Sequence, residues 1–181
     1  MSSYLTQYFA EKRVTFEQVT LAGHTATRRD ALAFMRQHSR LYDAVVRDLD
    51  VRNGDIDVLL RNVAITVIGE RHGLHPLGNT FVMPDAAALL EAVDETAGEL
   101  FVRHRCGDWG SVGRYAETEI DDDVRKLGPL ATDAGDKLNK AAVEQGVGRI
   151  MSIYVVSNGE TVWVITDEER RNTTLLAPNE Y

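Results

Sequence analysis

A chain of 181 residues with 44% hydrophobic and 27% charged residues has an ordinary globular balance and can bury a core without disulfide or metal staples. Its net charge of −8, from 28 acidic against 20 basic side chains, excludes a protein whose main task is gripping duplex nucleic acid, which needs clustered Lys and Arg. The N-terminus lacks the basic start and apolar run of a secretory signal, no stretch approaches the ~18 apolar residues of a membrane helix, and the single Cys106 has no partner for a disulfide, so the sequence predicts a soluble cytoplasmic protein with no membrane partner.

Thr27-Arg28-Arg29-Asp30 reads as a helix start, and Leu32, Phe34, Met35, Leu41, Val45, Val46 and Leu49 follow at helical spacing, predicting a helix over 29–49. Asn53-Gly54 marks a turn. A short helix is predicted over 55–62, and the β-branched run Val63-Ala64-Ile65-Thr66-Val67-Ile68 reads as a buried strand. After breaks at Gly73, Pro76 and Gly78, a strand is predicted over 79–83, ending at Pro84. Asp85 is placed to cap an Ala- and Leu-rich helix to Val93, and a further helix is expected over 96–105.

The acidic segment Glu117 to Asp123, read as a solvated helix start, and the Gly128-Pro129 loop precede a helix over 133–145, which Gly146 and Gly148 terminate. Residues 149–156 and 161–166 flank Ser157-Asn158-Gly159-Glu160, and Asn-Gly between two β-rich runs is a strong hairpin signal. Residues 172–176 supply a third strand. The pattern predicts an α+β fold: an antiparallel sheet, made of the C-terminal hairpin plus a further strand, packed with helices on one side and preceded by a mainly helical segment. The expected division is a helical extension over 1–70 and an α+β domain over 71–181.

Chemistry-bearing residues concentrate in Arg103-His104-Arg105-Cys106-Gly107-Asp108-Trp109-Gly110 and near the C-terminus. The glycines suit a tight turn in which Asp108 bonds backbone amides and Trp109 packs inward. Functionally, Asp108 can orient the His104 imidazole as a general base. His72, His75, His104 and Cys106 together offer four ligands of the kind a zinc ion accepts, although their spacing is unlike a common finger. Arg103, Arg105, Arg114, Arg170 and Arg171 can form a local anion site. Thr173 and Thr174 face opposite ways in a strand, so one alone can serve such a site. The acidic run has no EF-hand order, and the glycines form neither a phosphate loop nor a dinucleotide fingerprint.

Pro76-Leu77-Gly78 with the following strand and the Pro84 helix, His104 with Gly107-Asp108-Trp109-Gly110, and Asn139 through Gly146 occur in one order with Arg149-Ile150-Met151-Ser152, Trp163-Val164-Ile165-Thr166, Arg170, Thr173-Thr174, Pro178 and Glu180-Tyr181. On these motifs residues 76–181 resemble a family of small bacterial proteins associated with plasmids, integrated elements and phages. The resemblance implies that they form one unit and assigns no activity. The segment between Gly110 and Asn139 is longer than the family pattern, and the residues before Pro76 are added to it. The order of helical part, histidine, hairpin and late Arg-x-x-Thr-Thr strand is also loosely similar to the metal-independent ribonucleases related to barnase, EndoU and RelE.

Three functional expectations follow. The first is an acidic accessory protein, of a mobile genetic element, that binds another protein such as a nucleic-acid-processing or defence enzyme. The second is an RNA-cleaving domain with His104 as acid or base, Asp108 orienting it, Arg170 and also Arg103 stabilising phosphate charge, and Thr174 or Thr173 positioning it. The third is a zinc-stabilised module held by His72, His75, His104 and Cys106.

Overall fold

In the computed structural model, which describes residues 3–52, 54–112 and 134–181, Thr27 opens a helix through a reciprocal capping box. Its Oγ1 accepts the Asp30 amide (3.3 Å), and Asp30 Oδ2 accepts the Thr27 amide (2.9 Å). The same Asp30 carboxylate accepts Arg71 Nη1 at 2.8 Å. The chain is an α+β protein and divides into two compact units, residues 1–72 and 73–181.

The first unit contains α1 (Ser3–Glu11), β1 (Gln18–Leu21), β2 (His24–Thr27), α2 (Arg28–Gln37), α3 (Ser39–Val51) and α4 (Ile56–His72). β1 and β2 form an antiparallel ribbon whose turn, Ala22-Gly23, has φ of 51° and 76°. The single helix predicted over 29–49 is divided at His38. The His38 amide and Nδ1 both meet the Phe34 carbonyl, and its own carbonyl takes the Leu41 and Tyr42 amides that start α3.

The strand predicted over 63–68 is corrected: these residues lie inside α4, with Val63, Ala64, Ile65, Val67 and Ile68 all buried. Within 63–68 only Thr66 is exposed, so this short window shows no helical alternation and its β-branched residues read as a strand. Asp57, in the first turn of α4, accepts the Thr15 and Phe16 amides (2.9 Å each) and the Thr15 hydroxyl.

The second unit contains β3 (Asn79–Val82), α5 (Pro84–Ala92), α6 (Ala97–Arg105), α7 (Ala134–Gln145), β4 (Ile150–Val155), β5 (Thr161–Thr166) and β6 (Asn172–Leu176), closed by a 3-10 turn at Pro178–Glu180. The strand order is β3-β6-β5-β4. β4, β5 and β6 are antiparallel, and the β4–β5 hairpin turns at Asn158-Gly159, where Gly159 has φ 88°. The sheet as a whole is mixed, because β3 joins β6 in parallel with Asn79 opposite Asn172. The expected antiparallel sheet of the hairpin plus a further strand is present as β4-β5-β6, and β3 extends it in parallel.

Helices cover both faces of this sheet rather than one. Tyr154, Val162, Val164 and Leu175 pack against Ala86 and Leu90 of α5 and Leu100 and Phe101 of α6. Ile153, Met151 and Trp163, which alternate with them along the strands, pack against Ala142 and Val143 of α7 and against Trp109. Asp85 is not the residue that caps α5. Glu180 reaches from the C-terminal turn to accept the Asp85 and Ala86 amides (2.8 and 3.2 Å), placing a carboxylate at the positive end of α5. The acidic segment Glu117 to Asp123, the Gly128-Pro129 loop and Arg114 lie outside the described residues.

Candidate functional site

α6 buries Leu100, Phe101 and His104, residues spaced so that one face of the helix meets the sheet. His104, 0% exposed, thereby enters between β4 and β5. Its Nδ1 lies 2.6 Å from Ser152 Oγ and its Nε2 lies 2.8 Å from Thr166 Oγ1. Thr166 Oγ1 is 2.8 Å from Thr173 Oγ1, and Thr173 Oγ1 donates to the Leu77 carbonyl at 2.6 Å.

The carbonyl at the end of this chain sets the protons as far as Nε2, since a carbonyl only accepts. Thr173 gives its proton to Leu77 and therefore accepts from Thr166. Thr166 accepts from His104 Nε2–H. Burial keeps the imidazole neutral, so its one proton is on Nε2 and Nδ1 accepts from Ser152. Burial drives its pKa well below the usual value, and the positive fields of His75 and Arg170 push the same way. Beside it, at a ring separation of 5.1 Å, His75 directs Nδ1 to the Pro76 carbonyl (3.1 Å) and Nε2 to the His104 carbonyl (3.4 Å). Burial lowers its pKa as well, outweighing the two carbonyls.

The residues considered for RNA cleavage are placed apart in role. Asp108 pairs with Arg103 Nε (2.7 Å) and accepts the Gly110 amide (3.3 Å), while its backbone carbonyl takes the Tyr154 hydroxyl (2.6 Å). The Arg103 guanidinium also lies over the Tyr154 ring, 4.4 Å from its centroid. Arg170, at φ 57°, donates to the carbonyls of Gly148 (2.5 Å), Asp167 (2.8 Å) and Ala142 (2.9 Å), so its cation sits at the C-terminal end of α7. Thr174 projects to the opposite sheet face from Thr173 and thus from His104. His104, Asp108, Arg170 and Thr174 do not converge on one open cleft.

The residues considered for zinc are engaged otherwise. His72 stacks on His24 in the first unit, with ring centroids 3.9 Å apart. Both nitrogens of His104 are taken by hydrogen bonds, both nitrogens of His75 face backbone carbonyls, and burial raises the Cys106 thiol pKa, disfavouring the thiolate a metal needs. Among the described residues no three His, Cys, Asp or Glu groups are placed to hold a metal ion.

Gly107-Asp108-Trp109-Gly110 serves two backbone tasks. Gly107, at φ 84°, ends α6: its amide reaches the His104 carbonyl (3.2 Å) and the Asp108 amide reaches that of Arg103 (3.0 Å), the Schellman pattern. Gly110, at φ 65°, runs so close to β4 that a Cβ there would collide with the Ile153 carbonyl oxygen. Ser152 and Thr166 are members of the site to which the sequence assigned no role. Ser152 had a signal, a small polar residue between Ile150 and Tyr154 at inward-facing strand positions. Among the described residues no helix is long and apolar enough to cross a membrane. No protein-family model, curated protein or solved structure matches the chain.

Proposed function

We propose that the protein acts by binding another protein, as an acidic accessory factor, and that its partner presents a basic face. The observation that carries this reading is the division of charge between the two units. Residues 73–181 hold nineteen Asp and Glu against ten Lys and Arg, while residues 1–72 hold nine against ten. A one-signed field of this kind steers a partner of opposite charge and repels phosphate. Enzymes that process nucleic acid carry such basic surfaces, which fits the resemblance of residues 76–181 to proteins of plasmids and phages.

The engagement of His104, Asp108 and Arg170 in internal hydrogen bonds gives the same reading a second support. The test is recovery of the tagged full chain from cells at low and at raised salt. A stoichiometric basic protein should come with it at low salt and be lost as salt screens the contact. Recovery of the chain alone in both conditions overturns the reading.

A further inference from the structure

The chain treats the two edges of its four-stranded sheet differently. On β4, Met151 gives its amide to Asn139 Oδ1 (3.0 Å), and its carbonyl takes Asn139 Nδ2 (2.6 Å). Ile153 gives its amide to the Trp109 carbonyl (3.2 Å), and its carbonyl takes the Ser111 amide (2.7 Å). A side-chain amide and the end of the glycine box thus close that edge, as an edge strand requires.

Among the described residues β3 has no such cover. The Asn79 amide bonds the Arg171 carbonyl (2.8 Å) and the Met83 amide bonds that of Leu175 (2.9 Å), so residues 79, 81 and 83 turn their backbone groups towards β6. Thr80 and Val82 turn theirs outward, where they meet no partner among the described residues. Between Gly78 and Pro84 the strip Asn79-Thr80-Phe81-Val82-Met83 carries no charge that would block pairing, and Phe81 is 50% exposed.

We propose that β3 pairs with β3 of a second copy of this chain, antiparallel and about a two-fold axis at Phe81, joining two four-stranded sheets into one. The strand itself sets the register. With Phe81 opposite Phe81, Thr80 lies opposite Val82 of the other copy, and both residues of each such pair face outward. Each pair exchanges two hydrogen bonds. A two-fold centred on Thr80 would need Gly78, which leaves the extended conformation at φ 65°, and one centred on Val82 would need Pro84, which has no N–H.

The two Phe81 rings then form a non-hydrogen-bonded cross-strand pair, with Cα atoms about 4.5 Å apart. Self-association of an acidic unit opposes like charges, so the pairing strengthens as salt rises, opposite to the heterologous contact proposed above. The two contacts are independent, and loss of one in its test leaves the other standing.

Sedimentation of the full chain over a range of concentrations tests this. The expected result is a reversible rise from 20.2 kDa towards twice that mass, abolished by Phe81→Lys with no change in the unfolding midpoint. Oxidation should link Phe81→Cys into a covalent dimer, because that residue faces itself, while Thr80→Cys, which faces Val82, should not link. Wild type is the control, since Cys106 is buried. A monomer at every concentration, a dimer that survives Phe81→Lys, or equal linking from Thr80→Cys overturns the proposal.

Discussion

Burial keeps the His104 imidazole neutral, and its two nitrogens link Ser152 on β4 to Thr166 on β5. Removing it by His104→Ala leaves a cavity and two buried hydroxyls without their partner, which should cost about 3 kcal/mol, read as a lower urea midpoint in unfolding followed by circular dichroism. The same residue sets an acid limit. Below about pH 6.5 the unfolded chain protonates His104 and the folded chain does not, so the unfolded state holds more protons there and stability falls as pH falls. The contribution is complete above that value and is lost towards the folded pKa, and His75, lowered in the same direction, adds to it. Urea midpoints taken from neutral pH down to about 5 should decline, and His104→Ala should decline less steeply. The tautomer behind this depends on Leu77, Thr166 and Thr173, which lie far from His104 in sequence, so it was not legible there.

Among the elements, those announced by local chemistry were legible. Thr27 and Asp30 cap α2, Asn158-Gly159 turns the β4–β5 hairpin, and Pro84 opens α5, each through contacts of a few residues. The ribbon of β1 and β2 was missed because its turn is Ala22-Gly23 instead of Asn-Gly, and Ala22 occupies the left-handed region at φ 51°. That conformation strains an alanine, so Ala22→Gly should stabilise the chain by about 1 kcal/mol, visible as a higher urea midpoint. α4 was misread for a different reason. Its helical spacing, with Ile56, Leu60, Val63 and Val67 buried and Asn62, Thr66 and Glu70 exposed, is present in the sequence, but in the β-branched run 63–68 every residue except Thr66 is buried. A window as short as 63–68 cannot separate the 3.6-residue period from a buried strand.

At the scale of the whole molecule, residues 73–181 hold a sheet with a packed core on each face, and the hydrogen bonds of His104, Asp108, Arg170 and Glu180 described above all stay within that unit. Expressed as a separate piece, 73–181 should unfold cooperatively in urea with the near-ultraviolet signal of its buried Trp109, and a gradual loss of that signal would show that the unit needs the first 72 residues. By itself the sequence determined the α+β class, the hairpin, the helix of His104, and the glycines that let the chain turn at 107 and 110. These follow from propensity, turn chemistry and alternation, which act over a few residues. Only the tertiary structure decided that β3 runs parallel to β6, that Glu180 caps α5, that Arg170 serves the end of α7, and that His104 faces hydroxyls in the core. Those outcomes depend on which distant groups meet in three dimensions, and a hydrogen bond between residues 62 or 95 positions apart leaves no local mark on either partner.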